Sequence, residues 1–223
     1  MTETAAITDR KNNLTARNIL EAATKFFALK GYHGTSIRDI AKEADISIAT
    51  LYYYAKNKDD LYCQVFEEVY REEIATIGGV LDKADPNSIR DPKKLRELLF
   101  QLMDALIDRS SSNPYLIHLW AQRWLDKPEN SEYIDAEYSA PLYEMVREIL
   151  IEAERNEIIK PELNNLNLVL HSFTWLHYSF FSHGRLTYGI QVKDPYEPEQ
   201  IEEFREYIHT IISRILRFSD QQQ

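Results

Sequence analysis

Cysteine is nearly absent from this sequence, whose 223 residues include only Cys63. One cysteine cannot form an intramolecular disulfide, which excludes the disulfide-stabilised secreted scaffolds and fits a reducing compartment. Glycine and proline are also few, with six and eight residues. Because an all-β chain needs many turns, this scarcity favours long helices.

Long hydrophobic runs are missing as well. The most apolar stretch, residues 166–181, is shorter than the roughly 20 residues that span a bilayer, and it contains one asparagine and two histidines. This composition predicts a buried helix of a soluble protein. The first thirteen residues are polar and lack the apolar centre of a signal peptide. We therefore expect a cytoplasmic protein without a membrane partner.

Positive charge is scarce in the chain as a whole, which has a formal net charge of −10. DNA affinity depends on Lys and Arg that neutralise phosphates, so this balance argues at first against nucleic acid. The charge is uneven, however. Residues 1–62 contain nine basic and eight acidic residues, whereas the remainder contains 17 basic and 28 acidic residues. This division predicts two functions in one chain, with any DNA contact confined to the N-terminal part.

Sequence motifs for catalysis, cofactors and metals are not found either. The chain has no glycine-rich phosphate loop, nucleophile elbow or kinase signature, so we expect no enzymatic activity and no cofactor. His171, His177 and His183 recur at six-residue steps, which does not place them on one helical face. Neither HExxH nor paired cysteines accompany them, and we expect no metal site.

What the sequence does contain is helical periodicity along most of its length. Apolar residues recur at steps of three and four, and helix signals such as Gly31, Asn57 and Pro114 separate the segments. The pattern predicts an all-α chain of eight or nine helices. We expect a small N-terminal domain, residues 1–60, followed by a larger helical domain, residues 61–223.

The most informative stretch is residues 35–58, TSIRDIAKEADISIATLYYYAKNK. Ser36 stands three residues before Asp39 and ahead of an apolar repeat, which is typical of a capped helix start. Asp45 tolerates the left-handed backbone of a sharp turn, and Ser47 is positioned to cap a second short helix. Two short capped helices joined by a tight turn form a helix-turn-helix.

In a helix-turn-helix the second helix enters the major groove, and the residues at its N-terminus meet the base edges. Hydroxyl and basic side chains nearby contact phosphates and fix the docking register. Ordinary packing stays open as an alternative for the tyrosines, and a surface salt bridge for the arginine. The candidate DNA-binding residues are Thr35, Ser36, Arg38, Ser47, Ile48, Ala49, Thr50, Tyr52, Tyr53, Tyr54 and Lys58.

At these positions the chain resembles the TetR family of bacterial transcriptional regulators. The resemblance covers about the first quarter of the chain and implies a three-helix DNA-binding unit, a connecting fourth helix and a helical part for dimerisation and inducer binding. Ala49 and Ala55 depart from the glycine and aromatic residue usual in the family, and Tyr54 replaces a frequent histidine. The matching residues are Ile19-Leu20, Ala22-Ala23, Phe27, Gly31-Tyr32, Thr35-Ser36, Ile40-Ala41, Ala44, Ile46-Ser47, Thr50-Leu51-Tyr52-Tyr53, Lys58 and Leu61.

Aromatic residues concentrate in the C-terminal part, which contains all three tryptophans. Pairs of them lie four residues apart on two predicted helices, which would give two facing aromatic walls with a histidine as polar group. The pattern predicts an apolar, ring-containing inducer with room for a cationic group. The alternative is that these side chains form core. The candidate ligand-binding residues are Trp120, Trp124, Tyr143, Phe173, His177 and Phe181.

The last predicted helix carries an apolar stripe at three- and four-residue steps. A single short recognition helix reads too few bases, so we expect a homodimer on a palindromic operator, with this stripe packing against its symmetry mate. The alternative is that the stripe seals the monomer's own core. The candidate interface residues are Ile201, Phe204, Ile208, Ile211 and Ile215.

Together these patterns predict a ligand-responsive regulator that leaves its double-stranded DNA operator when a small-molecule inducer binds, and the family resemblance favours a repressor. Two alternatives stay open. An enzyme built on a helical bundle would show a Glu-x-x-His pair on facing helices, which is not found. An adaptor that binds only proteins would have no use for the capped helix pair before Lys58.

Overall fold

The computed structural model describes residues 3–129, 131–161, 165–183, 185–187 and 191–221. The predicted all-α class is confirmed, with one small addition: two three-residue strands, β1 (Arg185–Thr187) and β2 (Gln191–Lys193), pair antiparallel. Within the described ranges the helices are α1 (Glu3–Gly34), α2 (Ile37–Glu43), α3 (Ile48–Tyr54), α4 (Lys58–Leu81), α5 (Pro92–Ser112), α6 (Pro114–Leu125), α7 (Glu132–Ile134), α8 (Ala140–Arg155), α9 (Leu166–His183) and α10 (Pro198–Leu216).

Three single turns complete the described secondary structure. Ser88–Arg90 and Ser219–Gln221 form 3₁₀ turns, and Asp135–Ser139 forms a π turn that leads into α8. None of the described helices combines the length and apolar composition that a bilayer crossing requires.

The regular course of α1 ends at Gly31, where φ is 69° and ψ is 178°. Only glycine adopts this backbone region without strain. Thr35 is buried just beyond the turn, and its hydroxyl donates hydrogen bonds to the Gly31 carbonyl at 2.7 Å and the Phe26 carbonyl at 3.0 Å. The end of α1 is therefore closed by the residue that precedes the Ser36 cap.

The two predicted caps are confirmed. Ser36 Oγ accepts a hydrogen bond from the backbone N–H of Asp39 at 3.2 Å, and Ser47 Oγ accepts one from Thr50 at 3.0 Å. Between the helices Asp45 has a φ of 54°, the left-handed conformation that makes the turn sharp. Each cap satisfies a backbone donor that would otherwise lack a partner at a helix start.

The chain divides into two compact units. The first unit contains the described residues up to 69 together with the described residues of 115–135, so α6 and α7 belong to the same unit as the three N-terminal helices. The second contains residues 70–114 and the described residues from 136 onward. The compact units therefore do not divide between residues 60 and 61, where the sequence analysis placed the domain boundary. The division into a DNA-binding part and a ligand-binding part at that boundary stays a prediction.

In the second unit α5 packs against α10 and α9, and α8 packs against α9. The amphipathic helices turn apolar faces inward and bury them, which removes these side chains from water. On α10 the buried face follows four-residue steps. The buried side chains of that face are Gln200, Phe204, Ile208, Ile212 and Leu216.

Candidate functional site

The helix α3 shows a sharp contrast between its two sides. Leu51 is fully buried and holds the helix to the rest of the unit, whereas Ile48 and Tyr52 are exposed and Tyr53 is 81% exposed. Ala49 is exposed as well. A short helix that exposes apolar side chains at its start and tyrosines near its end suits contact with thymine methyls and phosphates.

The predicted contacts around α2 separate into two groups. Ser36 and Arg38 are exposed at the start of α2, which leaves both side chains accessible to a partner. Thr35 is 3% exposed, and its hydroxyl is committed to the carbonyls at the end of α1. Its side chain is therefore removed from the candidate interface. The sequence pattern did not distinguish it, because a hydroxyl at a helix start suits a cap, a backbone bond and a phosphate equally.

Lys58 at the start of α4 is half-buried. Its Nζ lies 4.3 Å from the centre of the Tyr32 ring, a cation–π arrangement. Burial lowers the pKa of Lys58, against the opposing effect of Asp126 and Asp59. The Tyr32 hydroxyl donates a hydrogen bond to the Asp59 carboxylate. These contacts fix the ammonium group at a helix N-terminus, a favourable position for an anion.

The C-terminal end of α6 is attached to the end of α1 within the first unit. Asp126 Oδ2 accepts a hydrogen bond from the backbone N–H of His33 at 3.0 Å, and Asp126 Oδ1 lies 3.3 Å from His33 Nε2. A Cβ placed on Gly31 would come within 2.7 Å of the same carboxylate. The sequence indicated Gly31 as a stop but gave no sign of this contact, which joins residues 93 positions apart.

A buried arginine holds α6 in place. Arg123 is 2% exposed, and its guanidinium donates to the Ser131 carbonyl at 3.0 Å and pairs with Asp135 at 2.9 Å. The same group lies 4.9 Å from the centre of the Phe66 ring on α4. A buried charge is stable only with partners of this kind. In the sequence, Arg123 follows the spacing of the apolar residues on the buried face of α6, and that spacing was the available signal.

The candidate ligand residues fall into both units. In the first, Trp120 is buried with its ring centre 5.2 Å from that of Phe66, and Trp124 is exposed. Trp120 is thus packed against α4, as the core alternative expected. Whether either tryptophan contacts a ligand stays a prediction.

In the second unit, His177 and Phe181 lie together with ring centres 5.3 Å apart, and Phe173 is buried on the same face of α9. His177 Nε2 is hydrogen-bonded to Ser110 Oγ at 2.8 Å. Burial lowers the pKa of His177 to about 4, so the ring is neutral at pH 7. Tyr143 stands apart from this group.

The Tyr143 hydroxyl forms a hydrogen bond of 2.7 Å with Thr174, and its ring stacks on His171 with centres 4.8 Å apart. Burial raises the pKa of Tyr143. Among the residues that the structure describes, no cluster of three or more His, Cys, Asp or Glu is arranged to hold a metal ion.

The predicted dimer stripe is corrected by the structure at two positions. Phe204 and Ile208 lie on the core side of α10, facing the chain's own α5 and α9, and they are not available to a second copy. Ile201, Ile211 and Ile215 flank that face and keep part of their surface exposed. The predicted stripe combines residues of the core face of α10 with residues beside that face. Three- and four-residue steps in the sequence do not show which neighbouring helix covers each side.

Comparison with known proteins adds to this geometry. Residues 19–65 match the family model described as "Bacterial regulatory proteins, tetR family". The "Probable HTH-type transcriptional regulator YttP" of Bacillus subtilis is 33% identical over 89 residues. That match covers 40% of this chain and 42% of YttP, so the similarity spans less than half of the relative's length.

Two solved structures share the fold over most of the chain. HlyIIR, a Hemolysin II transcriptional regulator, superposes with a TM-score of 0.60 at 26% identity, covering 91% of this chain and 97% of HlyIIR. The fatty acid degradation regulator FadR of Bacillus halodurans gives a TM-score of 0.69 at 17% identity, with 92% and 97% coverage. The matched N-terminal residues are those of the TetR family of bacterial regulatory proteins, and the helical fold is shared with the two solved regulators.

Proposed function

We propose that this protein is a ligand-responsive transcriptional regulator, acting as a repressor that binds a palindromic operator as a homodimer and leaves it when a small molecule binds. The observation that carries the proposal is the exposed face of α3, where Ile48, Tyr52 and Tyr53 point to solvent beside a capped helix start. In this role the protein is not an enzyme.

Charge supports the assignment of DNA binding to this end of the chain. The first 62 residues carry a slight excess of basic groups, whereas the remainder is strongly acidic. An acidic C-terminal part repels the phosphate backbone and favours docking through α3. A protein-only adaptor would have no use for the capped pair of short helices that ends before Lys58.

Dimerisation is supported by apolar side chains on the outer sides of α9 and α10. Trp175 is 54% exposed, and Leu168 and Tyr207 are about half exposed. Exposed aromatic and aliphatic groups of this size favour a protein interface. We assign the dimer contact to these residues together with the part-exposed Ile211 and Ile215.

Release of DNA requires a link between the ligand and α3. Helix α6 carries Trp120 in its middle, and Asp126, which binds the end of α1, follows its last residue. A ligand that displaces α6 would therefore pull on the segment that leads directly into α2 and α3. The coupling free energy is set by the difference in ligand affinity between the DNA-bound arrangement of α6 and the displaced one.

The test is selection of binding sequences from random double-stranded DNA, followed by affinity measurements on the selected site. Wild-type protein should enrich an inverted repeat, and Tyr53→Ala should lose most of this affinity while keeping its helical circular dichroism. Leu125→Ala, which also truncates a strongly exposed side chain, serves as the matched control. Failure to enrich any sequence, or equal binding by Tyr53→Ala, would reject the proposal.

A further inference from the structure

Three polar side chains around the start of α10, two of them buried and one half-buried, contain buried atoms that have no hydrogen-bond partner anywhere in the part of the chain that the structure describes. They are His177 Nδ1, Tyr196 Oη and both amide atoms of Gln200. His177 is 7% exposed and Gln200 is 1% exposed. Most buried polar groups in folded proteins are paired, so four orphaned atoms in one region need an explanation.

The three side chains are neighbours through two phenylalanines. The Phe181 ring centre lies 5.3 Å from that of His177 and 5.4 Å from that of Tyr196. Phe204 lies 6.1 Å from Phe181 and 6.4 Å from His177. Gln200 precedes Phe204 by four residues on the same buried face of α10.

The side chains packed around this cluster are aromatic. Phe180 stacks on Phe204 with ring centres 4.0 Å apart and an interplanar angle of 4°, and Phe181 packs edge-on against both. Aromatic walls with a few converging polar groups are the usual composition of a small-molecule site. Phe181 and His177 belong to the ligand residues predicted from the sequence, whereas Tyr196 and Gln200 do not.

The polar groups of the cluster are all neutral at pH 7. Burial lowers the pKa of His177 to about 4 and raises the pKa of Tyr196 to about 12. Gln200 is an amide, and Ser110, which occupies the other nitrogen of His177, is a hydroxyl. A charged ligand would lose its hydration here without meeting an opposite charge, whereas a hydroxyl or carbonyl group would find both donors and acceptors.

We propose that His177, Tyr196 and Gln200 form the polar side of a ligand site that takes an uncharged, ring-containing molecule bearing a hydroxyl or carbonyl group. As an inducer site it rests on the regulator function proposed above. The proposal replaces the cationic group expected from the overall acidity, because the orphaned atoms belong to neutral side chains.

Calorimetric titration of the full chain without DNA tests the site. The probe is p-cresol, with toluene as the same ring without the hydroxyl and 4-methylbenzylammonium as a cationic counterpart. We expect p-cresol to bind with a Kd of about 1 mM or below, at least about tenfold tighter than either comparison compound. Equal binding of toluene, or tighter binding of the cation, would overturn the ligand class.

Two variants separate a ligand site from a structural role. Gln200→Leu removes the orphaned amide, so it should weaken p-cresol binding by about tenfold or more and raise the Tm of the unliganded protein by about 2–4 °C. Gln101→Leu makes the same change at an exposed position of α5 and should alter neither quantity. Tyr196→Phe should weaken p-cresol binding in the same direction.

The alternative occupant is buried water. In that case p-cresol gives no saturable heat and Gln200→Leu lowers the Tm, because the amide then holds a water molecule that leucine cannot replace. That result would reject the site. These measurements contain no DNA, so a negative result would reject the ligand site without bearing on operator binding. Conversely, a failure to bind DNA sequence-selectively would leave the p-cresol result unchanged.

Discussion

Asp126, which follows α6, accepts a hydrogen bond of 3.0 Å from the backbone N–H of His33 at the end of α1. The carboxylate thereby holds the segment from which the helix-turn-helix begins two residues later. Since the bonded donor is the backbone N–H, only proline at residue 33 would remove this hydrogen bond from the His33 side, whereas any substitution of Asp126 that lacks an acceptor removes it.

Replacement of Asp126 by alanine should lower the free energy of unfolding by about 1–2 kcal/mol, since a part-exposed hydrogen bond to a charged acceptor is lost. Operator affinity should fall further than stability accounts for, because α2 is no longer fixed. Chemical denaturation and DNA titration measure the two effects. Glu129→Ala removes an exposed carboxylate three residues away and should change neither.

Gly31 and Gly78 should respond oppositely to alanine. Gly31→Ala forces a side chain into a glycine-only conformation against Asp126 Oδ2, so we expect a loss of about 1–3 kcal/mol in stability. Gly78 lies in α4 with no atom within 4 Å of an added Cβ, and Gly78→Ala should add about 0.5–1 kcal/mol. An unchanged free energy of unfolding for Gly31→Ala would show that the backbone at the end of α1 adjusts to the added side chain without strain.

The candidate DNA-binding residues should separate into those that contact phosphates and those that contact bases. Lys58→Ala should weaken binding to all sequences and reduce the slope of log affinity against log salt by about one, as loss of one phosphate contact requires. Ile48→Ala should instead change the base preferred at one position. Titrations at several salt concentrations on matched and mismatched operators distinguish the two, and an unchanged slope for Lys58→Ala would place the phosphate contact elsewhere.

The dimer surface should tolerate charge where the core does not. Trp175→Glu should give a folded monomer in sedimentation, with helical circular dichroism retained and operator affinity lost. Ile208→Glu places a charge in the core and should unfold the chain. Leu125→Glu, at an exposed apolar position outside α9 and α10, should remain dimeric. A dimeric Trp175→Glu variant would move the interface to another surface.

His177 should make the protein sensitive to acid. Its pKa is lowered to about 4 in the folded chain, below the value of about 6.5 in an unfolded chain, so the proton binds only on unfolding. The stability of the wild type should therefore fall between pH 6.5 and pH 4, by about 2 kcal/mol between pH 7 and pH 5 from this residue.

The His177→Phe variant should lack this part of the pH dependence. The substitution also removes the hydrogen-bond partner of the Ser110 hydroxyl at every pH. The two proteins are therefore compared by the slope of stability against pH and not by their absolute stability. His171→Phe, the same change at an exposed position of the same helix, serves as the control. Parallel slopes for His177→Phe and wild type in denaturant titrations would mean that His177 has the same pKa in the folded and unfolded chain, which would contradict this prediction.

Local patterns were sufficient for the helices and for the helix-turn-helix. Ser36, Asp45 and Ser47 act on backbone groups within a few residues of themselves, so caps and a left-handed turn can be derived from their order alone. Helical periodicity likewise predicts an amphipathic helix, because it reflects a geometry of 3.6 residues per turn.

Tertiary structure decided which neighbour covers each face. Phe204 and Ile208 on α10 belong to the chain's own core, and Thr35 is bonded to the end of α1. Such outcomes depend on contacts between residues far apart in the chain, as between Asp126 and His33 or His177 and Ser110. Periodicity gives the direction of a side chain relative to its own helix axis, whereas its partner is set by the packing of separate helices, which no local pattern encodes.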